Sequence, residues 1–125
     1  MPSLRTLDPK LRHHAEVFFR AAHRRFPGLV VTSARRTYAE QARLYRASLE
    51  GKNNGLPATP PGGTSHERGL AWDMARINLD PLTDGVLRQL GAEWRHLGGS
   101  WWEGDPVHFG WAESLRYGRL RRRRR

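Results

Sequence analysis

One stretch decides how this chain folds: residues 64–73, which read TSHERGLAWD. From Leu70 onward, larger apolar residues alternate with small or acidic ones, which predicts a half-buried β-strand. His66 and Asp73 are seven residues apart, so a straight helix would separate them by about 10 Å, and one flat strand would point them to opposite faces. Their side chains meet only if the chain bends between them. Gly69 is the residue that allows such a bend with little strain.

A helix and a strand are predicted near the N-terminus. Asp8 followed by Pro9 is typical of a helix start, and apolar residues then recur at helical spacing as far as Phe26. Pro27 and the glycine after it should end this helix. Residues 29–33, LVVTS, are short, apolar and β-branched, which suits a buried strand.

A second helix should follow at once, because Thr37 and Glu40 have the spacing of a capping box. Its predicted buried stripe consists of Tyr38, Ala42, Tyr45 and Leu49. The next segment, residues 51–63, is rich in Gly, Pro and Asn, and we expect a long surface loop there.

The C-terminal half predicts one more helix and two short strands. The helix covers roughly residues 81–97, and its apolar stripe is Val86, Leu90, Trp94 and Leu97. The strands lie around residues 101–102 and 107–111. Because helices and strands occupy separate stretches, the predicted class is α+β: a single compact domain with a small antiparallel sheet flanked by about three helices. We expect this domain to cover residues 1–118 and an Arg-rich tail to cover 119–125.

Composition limits the classes of protein this chain can belong to. Its 125 residues correspond to about one domain. With no cysteine, there is neither a disulfide framework nor a thiolate metal site. The N-terminus lacks the apolar stretch of a signal peptide, so we expect a soluble product made in the cytoplasm. Arg121 to Arg125 supply five of the ten net positive charges, which favours a polyanionic partner.

A second polar segment, residues 102–111 (WEGDPVHFGW), complements the first. In a strand here, Val107, Phe109 and Trp111 share a core face and His108 projects from the opposite face.

The spacing of His66 and Asp73 alone is weak evidence: with six His and five Asp in the chain, 6 × 5/125 gives roughly a one-in-four chance of such a pair.

Two imidazoles and one carboxylate without sulfur suit zinc, and three protein ligands leave a fourth position for a catalytic water. We therefore expect His66, Asp73 and His108 to hold one Zn²⁺ ion. Asp105 is the candidate general base that takes the proton of that water, and Glu103 is its rival. Trp101, Trp102 and Trp111 could line the cleft, but tryptophans in a domain this small are more often in the core, so they receive no role.

These residues resemble the family of zinc D-alanyl-D-alanine carboxypeptidases and L-alanyl-D-glutamate endopeptidases, which includes many phage endolysins. The family pattern Ser/Thr-x-His-x-x-Gly-x-Ala-x-Asp is matched by Thr64, His66, Gly69, Ala71 and Asp73. An upstream family segment similar to Thr-Ser-Gly-Tyr-Arg-Ser, followed by Glu-Gln, is met by residues 32–37 (TSARRT) and 40–41 (EQ). Ala34 and Arg35 depart from the usual Gly and Tyr. The likeness covers roughly residues 29–111.

The resemblance implies the family's α+β fold with zinc in a cleft on the sheet, and bacterial peptidoglycan as the substrate. It implies that Arg36 reaches the site and steadies the substrate carbonyl or carboxylate, and it places Thr64 among the substrate-binding residues. The carboxypeptidase branch usually has glutamate as the base, whereas Asp105 resembles the endopeptidase branch. Cleavage of the L-alanyl-D-glutamate bond in cell-wall lysis is therefore favoured over D-alanyl-D-alanine carboxypeptidase activity.

Other classes remain as alternatives. The Arg tail and a sequence pI of about 11.4 suggest a nucleic-acid-binding module, but no groove-reading motif accompanies them and nucleic acid is not an expected partner. A metal-bearing binding domain that has lost catalysis is a further alternative. The tail itself is expected to bind anionic envelope polymers or lipid. We expect a monomer that acts on the cell wall after release from the cytoplasm.

Overall fold

Three helices and one antiparallel sheet form the fold in the computed structural model, which describes residues 2–52, 56 and 58–117. In chain order the elements are α1 (Pro9–Arg25), β1 (Leu29–Ser33), α2 (Tyr38–Leu49), β2 (Ala71–Arg76), α3 (Gly85–His96), β3 (Ser100–Trp101) and β4 (His108–Gly110). Short 3₁₀ turns cover Leu4–Thr6 and Glu113–Tyr117. The predicted α+β class is confirmed. The predicted tail at residues 119–125 lies outside the described residues.

The first two helices begin where the sequence predicts. The Asp8 carboxylate accepts a hydrogen bond from the Lys10 backbone N–H at 3.0 Å, and Pro9 occupies the first turn of α1. At α2, Thr37 Oγ1 accepts from the Glu40 N–H and the Glu40 carboxylate accepts from the Thr37 N–H, which is a complete capping box. None of the helices in the described ranges is long and apolar enough to cross a membrane.

The third helix begins four residues later than the predicted residue 81. Asp84 is its N-cap, and the Asp84 carboxylate accepts from the Val86 N–H at 3.0 Å. Before it, the carboxylate and the carbonyl of Asp80 each accept a backbone N–H, from Leu82 and Thr83, and these bonds form a turn. An aspartate that caps a helix satisfies N–H groups that have no partner within the helix, so Asp84 fixes the start.

The sheet has the order β1-β2-β4-β3, and all its pairs are antiparallel. The central strand β2 pairs with both β1 and β4, and the register places Asp73 directly opposite His108. The β1–β2 register shifts between Val31 and Ser33, which bends the end of β1 from which the site segment continues.

The core lies between one face of the sheet and helices α1 and α3. Phe18 of α1 makes ring contacts with Trp72 of β2, Trp94 of α3 and Phe109 of β4, at centroid distances of 5.0 to 6.4 Å. The last three of these rings are fully buried. Large aromatic rings in edge-to-face contact fill this layer and hold the sheet against both helices.

Two burial predictions are wrong. Strand β2 is buried on both faces from Ala71 to Met74, because the face opposite the core is covered by the segments that build the candidate site. In α2, the predicted stripe is not the inward face: Tyr38 and Leu49 are 64% and 69% exposed. The buried residue of α2 is Gln41, whose amide makes polar contacts with neighbouring segments, so helical spacing of apolar residues misidentified the inward face.

Candidate metal centre

His66 is brought to the sheet by the bend that the sequence predicts at Gly69. Gly69 has φ of 73°, and a Cβ atom there would lie 2.8 Å from the Asp8 backbone nitrogen. A larger residue would therefore be strained and would collide with the start of α1. The His66 ring is buried, and its Nδ1 lies 2.9 Å from the Ala34 carbonyl oxygen. Because a carbonyl only accepts, Nδ1 carries the proton and Nε2 presents its lone pair.

The three predicted ligands converge on one point. His66 Nε2 lies 3.0 Å from Asp73 Oδ1 and 3.2 Å from His108 Nδ1, and His108 Nδ1 lies 3.5 Å from Asp73 Oδ1. Asp73 and His108 owe their proximity to the β2–β4 register, whereas His66 arrives from the loop before β2. Within the described residues, these three form the group able to hold a metal ion.

The spacing of these atoms fits zinc. Ligands about 2.0–2.1 Å from a tetrahedral zinc ion are about 3.3–3.4 Å from each other. The observed separations of 3.0, 3.2 and 3.5 Å bracket that value. The donor set of two imidazole nitrogens and one carboxylate oxygen matches catalytic zinc sites with three protein ligands. The structure thus brings together the residues that the sequence assigned to the metal.

Arg36 also reaches the site, but its main contacts are with protein groups. Its Nη2 donates to Asp73 Oδ2 at 2.7 Å, Nη1 donates to Gln41 Oε1 at 3.1 Å, and Nε donates to Ser33 Oγ at 2.8 Å. Arg36 therefore binds the carboxylate oxygen that faces away from His66 and leaves Oδ1 for the metal. Among the described residues, the other two of the five guanidinium N–H groups have no protein acceptor, and the role of Arg36 toward the substrate stays a prediction.

The charges of the centre keep Asp73 ionised. Burial acts to raise the pKa of Asp73, but its polar contacts with the His108 and His66 rings and the charge of Arg36 outweigh burial and hold this pKa far below its usual range. For His108, burial acts to lower the pKa, and the hydrogen bond to Asp73 together with the charges of Asp73 and Asp105 raises it above its usual value. The centre therefore contains a fixed negative charge that attracts a cation.

Asp105, the predicted general base, lines the same cleft, whereas its rival does not. The Asp105 carbonyl accepts from the His108 N–H at 3.0 Å, so one turn links the base to a metal ligand. Glu103 is exposed and pairs with Arg88 of α3 at 3.3 Å. Burial first, and then the charge of Asp73, raise the pKa of Asp105 above its ordinary value. A cation held by the three ligands acts in the opposite direction and favours the carboxylate.

Thr64, predicted to bind substrate, lies on the cleft wall but its hydroxyl is used in a turn. Thr64 Oγ1 donates to Glu67 Oε1 at 3.0 Å and accepts from the Glu67 N–H at 3.2 Å. The same carboxylate oxygen accepts from the Gly62 N–H at 2.9 Å. These contacts shape the loop that presents His66, and a role for Thr64 in substrate binding remains a prediction.

Two residues of the site received no role from the sequence. Ser33 and Gln41 accept hydrogen bonds from Arg36, and Gln41 Nε2 also donates to the Thr59 carbonyl at 2.9 Å. Gln41 is only 2% exposed, and both the oxygen and the nitrogen of its buried side-chain amide have hydrogen-bond partners in the site. The sequence could have indicated both residues as part of the site, because both lie within the upstream segments that carry the family resemblance.

The centre opens into a cleft of about 1380 Å³. The strand order fixes which segments line its two sides. Arg35 and Arg36 follow β1 at one edge of the sheet, and Trp102 follows β3 at the other edge. Asp73 and His108 lie on the central strands β2 and β4, between these two segments.

A family model for VanY, D-alanyl-D-alanine carboxypeptidase, matches residues 4–113 of this chain. The chain belongs to the VanY family. The match covers most of the 125 residues and extends beyond the segment from which the resemblance was inferred. The predicted family is confirmed at this level, and members of it are peptidases. Its endolysin branch stays a prediction.

Several solved structures share the fold. VanYB in complex with D-alanine-D-alanine is 18% identical, with a TM-score of 0.63 over 91% of this chain and 77% of that one. The vancomycin resistance D,D-pentapeptidase VanY in complex with Zn(II), a variant from a VanB-type cassette, is 20% identical, with a TM-score of 0.60 over 91% and 76%. The LD-carboxypeptidase LdcB is 17% identical, with a TM-score of 0.66 over 91% and 71%. A search of curated protein sequences returned no match.

Proposed function

We propose that this protein is a zinc-dependent endopeptidase that hydrolyses the L-alanyl-D-glutamate bond of peptidoglycan stem peptides. One observation carries the proposal: His66, Asp73 and His108 form a zinc-sized triangle of ligand atoms, and Asp105 lines the same cleft. This is the set of groups that metal-assisted amide hydrolysis requires: three ligands, an open position and a carboxylate.

Each residue has a defined part in the reaction. Zinc, when bound, supplies Lewis-acid chemistry that activates water and polarises the peptide carbonyl. Asp105 accepts a proton from the attacking water as the new C–O bond forms. It then returns a proton to the leaving nitrogen as the C–N bond breaks, so the products are one carboxylate and one amine.

Hydrogen bonds from neighbouring groups hold the metal ligands in place. The Ala34 carbonyl fixes the proton on His66 Nδ1, and Arg36 holds Asp73 through its distal oxygen. We assign the remaining N–H groups of Arg36 to a substrate oxygen on which negative charge develops, which is the role that the family resemblance implies.

Two features favour an internal bond over a C-terminal one. The base is Asp105 rather than the glutamate usual in the carboxypeptidase branch. The cleft of about 1380 Å³ also exceeds the roughly 300–1,000 Å³ of a typical small-ligand pocket, so it has room for residues on both sides of the cleaved bond.

A D-alanyl-D-alanine carboxypeptidase is the second candidate, because VanYB, which shares the fold, has been solved with D-alanine-D-alanine bound. Purified peptidoglycan should be digested with the wild-type protein and its products examined by mass spectrometry. The endopeptidase exposes new glutamate amines, whereas the carboxypeptidase releases free D-alanine. A chelator should abolish either activity, and added zinc should restore it. Activity that persists after complete removal of metal would refute the zinc mechanism.

We propose further that the enzyme acts in cell-wall lysis and that residues 119–125 attach it to anionic envelope polymers or lipid. Support comes only from the five consecutive arginines, Arg121 to Arg125. Deletion of residues 119–125 should weaken binding to bacterial envelopes and spare cleavage of a soluble stem peptide. Unchanged envelope binding would rule out the attachment role.

A further inference from the structure

Trp102 differs from the other tryptophans. All five lie within the described residues, and for Trp101, Trp102 and Trp111 we expected the core, with the cleft wall as the alternative. For Trp102 the alternative holds: it is 66% exposed, whereas Trp101 is 7% exposed and Trp111 packs against the core cluster. The exposed indole lines the cleft that contains the metal centre.

The backbone that carries this indole is linked to the reacting groups. The Trp102 carbonyl accepts from the Asp105 N–H at 3.1 Å, and the Asp105 carbonyl accepts from the His108 N–H at 3.0 Å. Two consecutive turns therefore connect the indole, the base and a metal ligand. The six-membered ring of Trp102 lies against the backbone of Gly104, where a Cβ atom would overlap it. One side of the ring is supported by protein, and much of the side chain remains open to solvent.

The two sides of the cleft differ in chemistry. Trp102, with its exposed indole, follows β3 at one edge of the sheet. Arg35 and Arg36 follow β1 at the other edge, and the metal ligands on the central strands β2 and β4 lie between the two sides. The cleft therefore suits a substrate that is anionic on one side of the cleaved bond and presents an apolar face on the other.

We propose that Trp102 forms a subsite for the muramyl sugar of peptidoglycan, by stacking on the C–H face of the pyranose ring. This inference rests on the proposed function. In a stem peptide, L-alanine is joined through its amine to the lactyl group of the sugar, and D-glutamate with its carboxylates lies on the other side of the bond. Placing D-glutamate toward the arginines directs L-alanine and the sugar toward Trp102. An indole combines a large apolar face with a polar edge, which suits a sugar ring.

The test compares two soluble substrates that differ only in the sugar: a muramyl tripeptide with the sequence L-alanyl-D-glutamyl-diamino acid, and the same tripeptide with an acetyl group in place of the muramyl group. The measured quantity is the ratio of kcat/KM for the muramyl substrate to that for the acetyl substrate. We expect the wild-type ratio to exceed one. Trp102→Ala should reduce it about three- to tenfold, mainly through KM, because aromatic stacking contributes about 0.5–1.5 kcal/mol.

Trp102→Phe should keep part of the preference, because a smaller aromatic face remains. Val17→Ala is the control: Val17 is 41% exposed on α1, away from the cleft lining, and this variant should keep the wild-type ratio. Equal losses on both substrates, or no loss, in Trp102→Ala would overturn the sugar subsite and leave the proposed function intact. A wild-type protein that releases D-alanine and leaves the L-alanyl-D-glutamate bond uncut would instead refute the proposed function, and the sugar subsite with it.

Discussion

Replacement of Arg36 by lysine tests whether this side chain positions the metal-binding carboxylate or acts on the substrate alone. The guanidinium donates to Asp73, Gln41 and Ser33 through three different nitrogens. A lysine ammonium is a compact charge and does not reproduce a planar fork with three separated donors. We expect Arg36→Lys to lose the bond to Asp73 Oδ2 and with it the fixed orientation of this ligand.

The size of the effect follows from the burial of the pair. The side chains of Arg36 and Asp73 are 13% and 12% exposed, so water screens their interaction little. A hydrogen bond to a charged partner contributes about 1.5–3 kcal/mol. At about 1.4 kcal/mol per factor of ten, this predicts zinc binding roughly 10- to 100-fold weaker. Loss of groups that orient metal ligands usually weakens binding by the same amount.

A competition titration against a chromophoric chelator measures zinc affinity directly and does not depend on activity. Arg35→Lys is the matched control, since Arg35 lines the same cleft but donates to the Glu67 carbonyl. Its zinc affinity should equal that of the wild type. If Arg36→Lys binds zinc as tightly as the wild type while kcat/KM falls, Arg36 acts on the substrate and the positioning role is refuted. Thermal unfolding of each variant separates these outcomes from misfolding.

Three further predictions concern the base, the bend and the start of α3. Asp105→Asn should retain zinc and lose at least about 100-fold in kcat, and full activity in a turnover assay would exclude Asp105 as the base. Gly69→Ala should lower the free energy of unfolding by at least about 1–2 kcal/mol in a denaturant titration. By contrast, Gly28→Ala, where a Cβ meets nothing within 4 Å, should be nearly neutral. The hydrogen bond from Arg76 lowers the pKa of Asp84 in the folded protein. The ionised Asp84 carboxylate therefore stabilises the fold at pH values above its unfolded-state pKa of about 3.9, and this stabilisation is lost as the pH falls through the folded-state pKa. Asp84→Asn should therefore reduce Tm more at about pH 7 than at about pH 2, and equal losses would contradict the charge effect.

Local sequence signals predicted most of the fold. The starts of α1 and α2, strand β1 and the strand after Gly69 were predicted correctly, because caps and side-chain alternation depend on neighbouring residues. The start of α3 was placed too early, since several residues of segment 81–84 are compatible with a helix and only the Asp84 cap settles where it begins. The inward face of α2 was also misidentified, because Gln41 is buried by hydrogen bonds to distant segments rather than by apolar packing.

For the site, the sequence by itself determined which residue types were available: imidazoles and carboxylates in the absence of thiols, and a glycine at the bend. The tertiary structure decided how they combine. The β2–β4 register places Asp73 opposite His108, and the loop around Gly69 brings His66 within 3.0 Å of Asp73. Likewise, only the fold shows that Arg36 binds Asp73 and that Trp102 is exposed in the cleft. Such contacts depend on how the strands pair and on the direction of a side chain at the end of a strand. Both are determined by interactions between residues that are far apart in the chain.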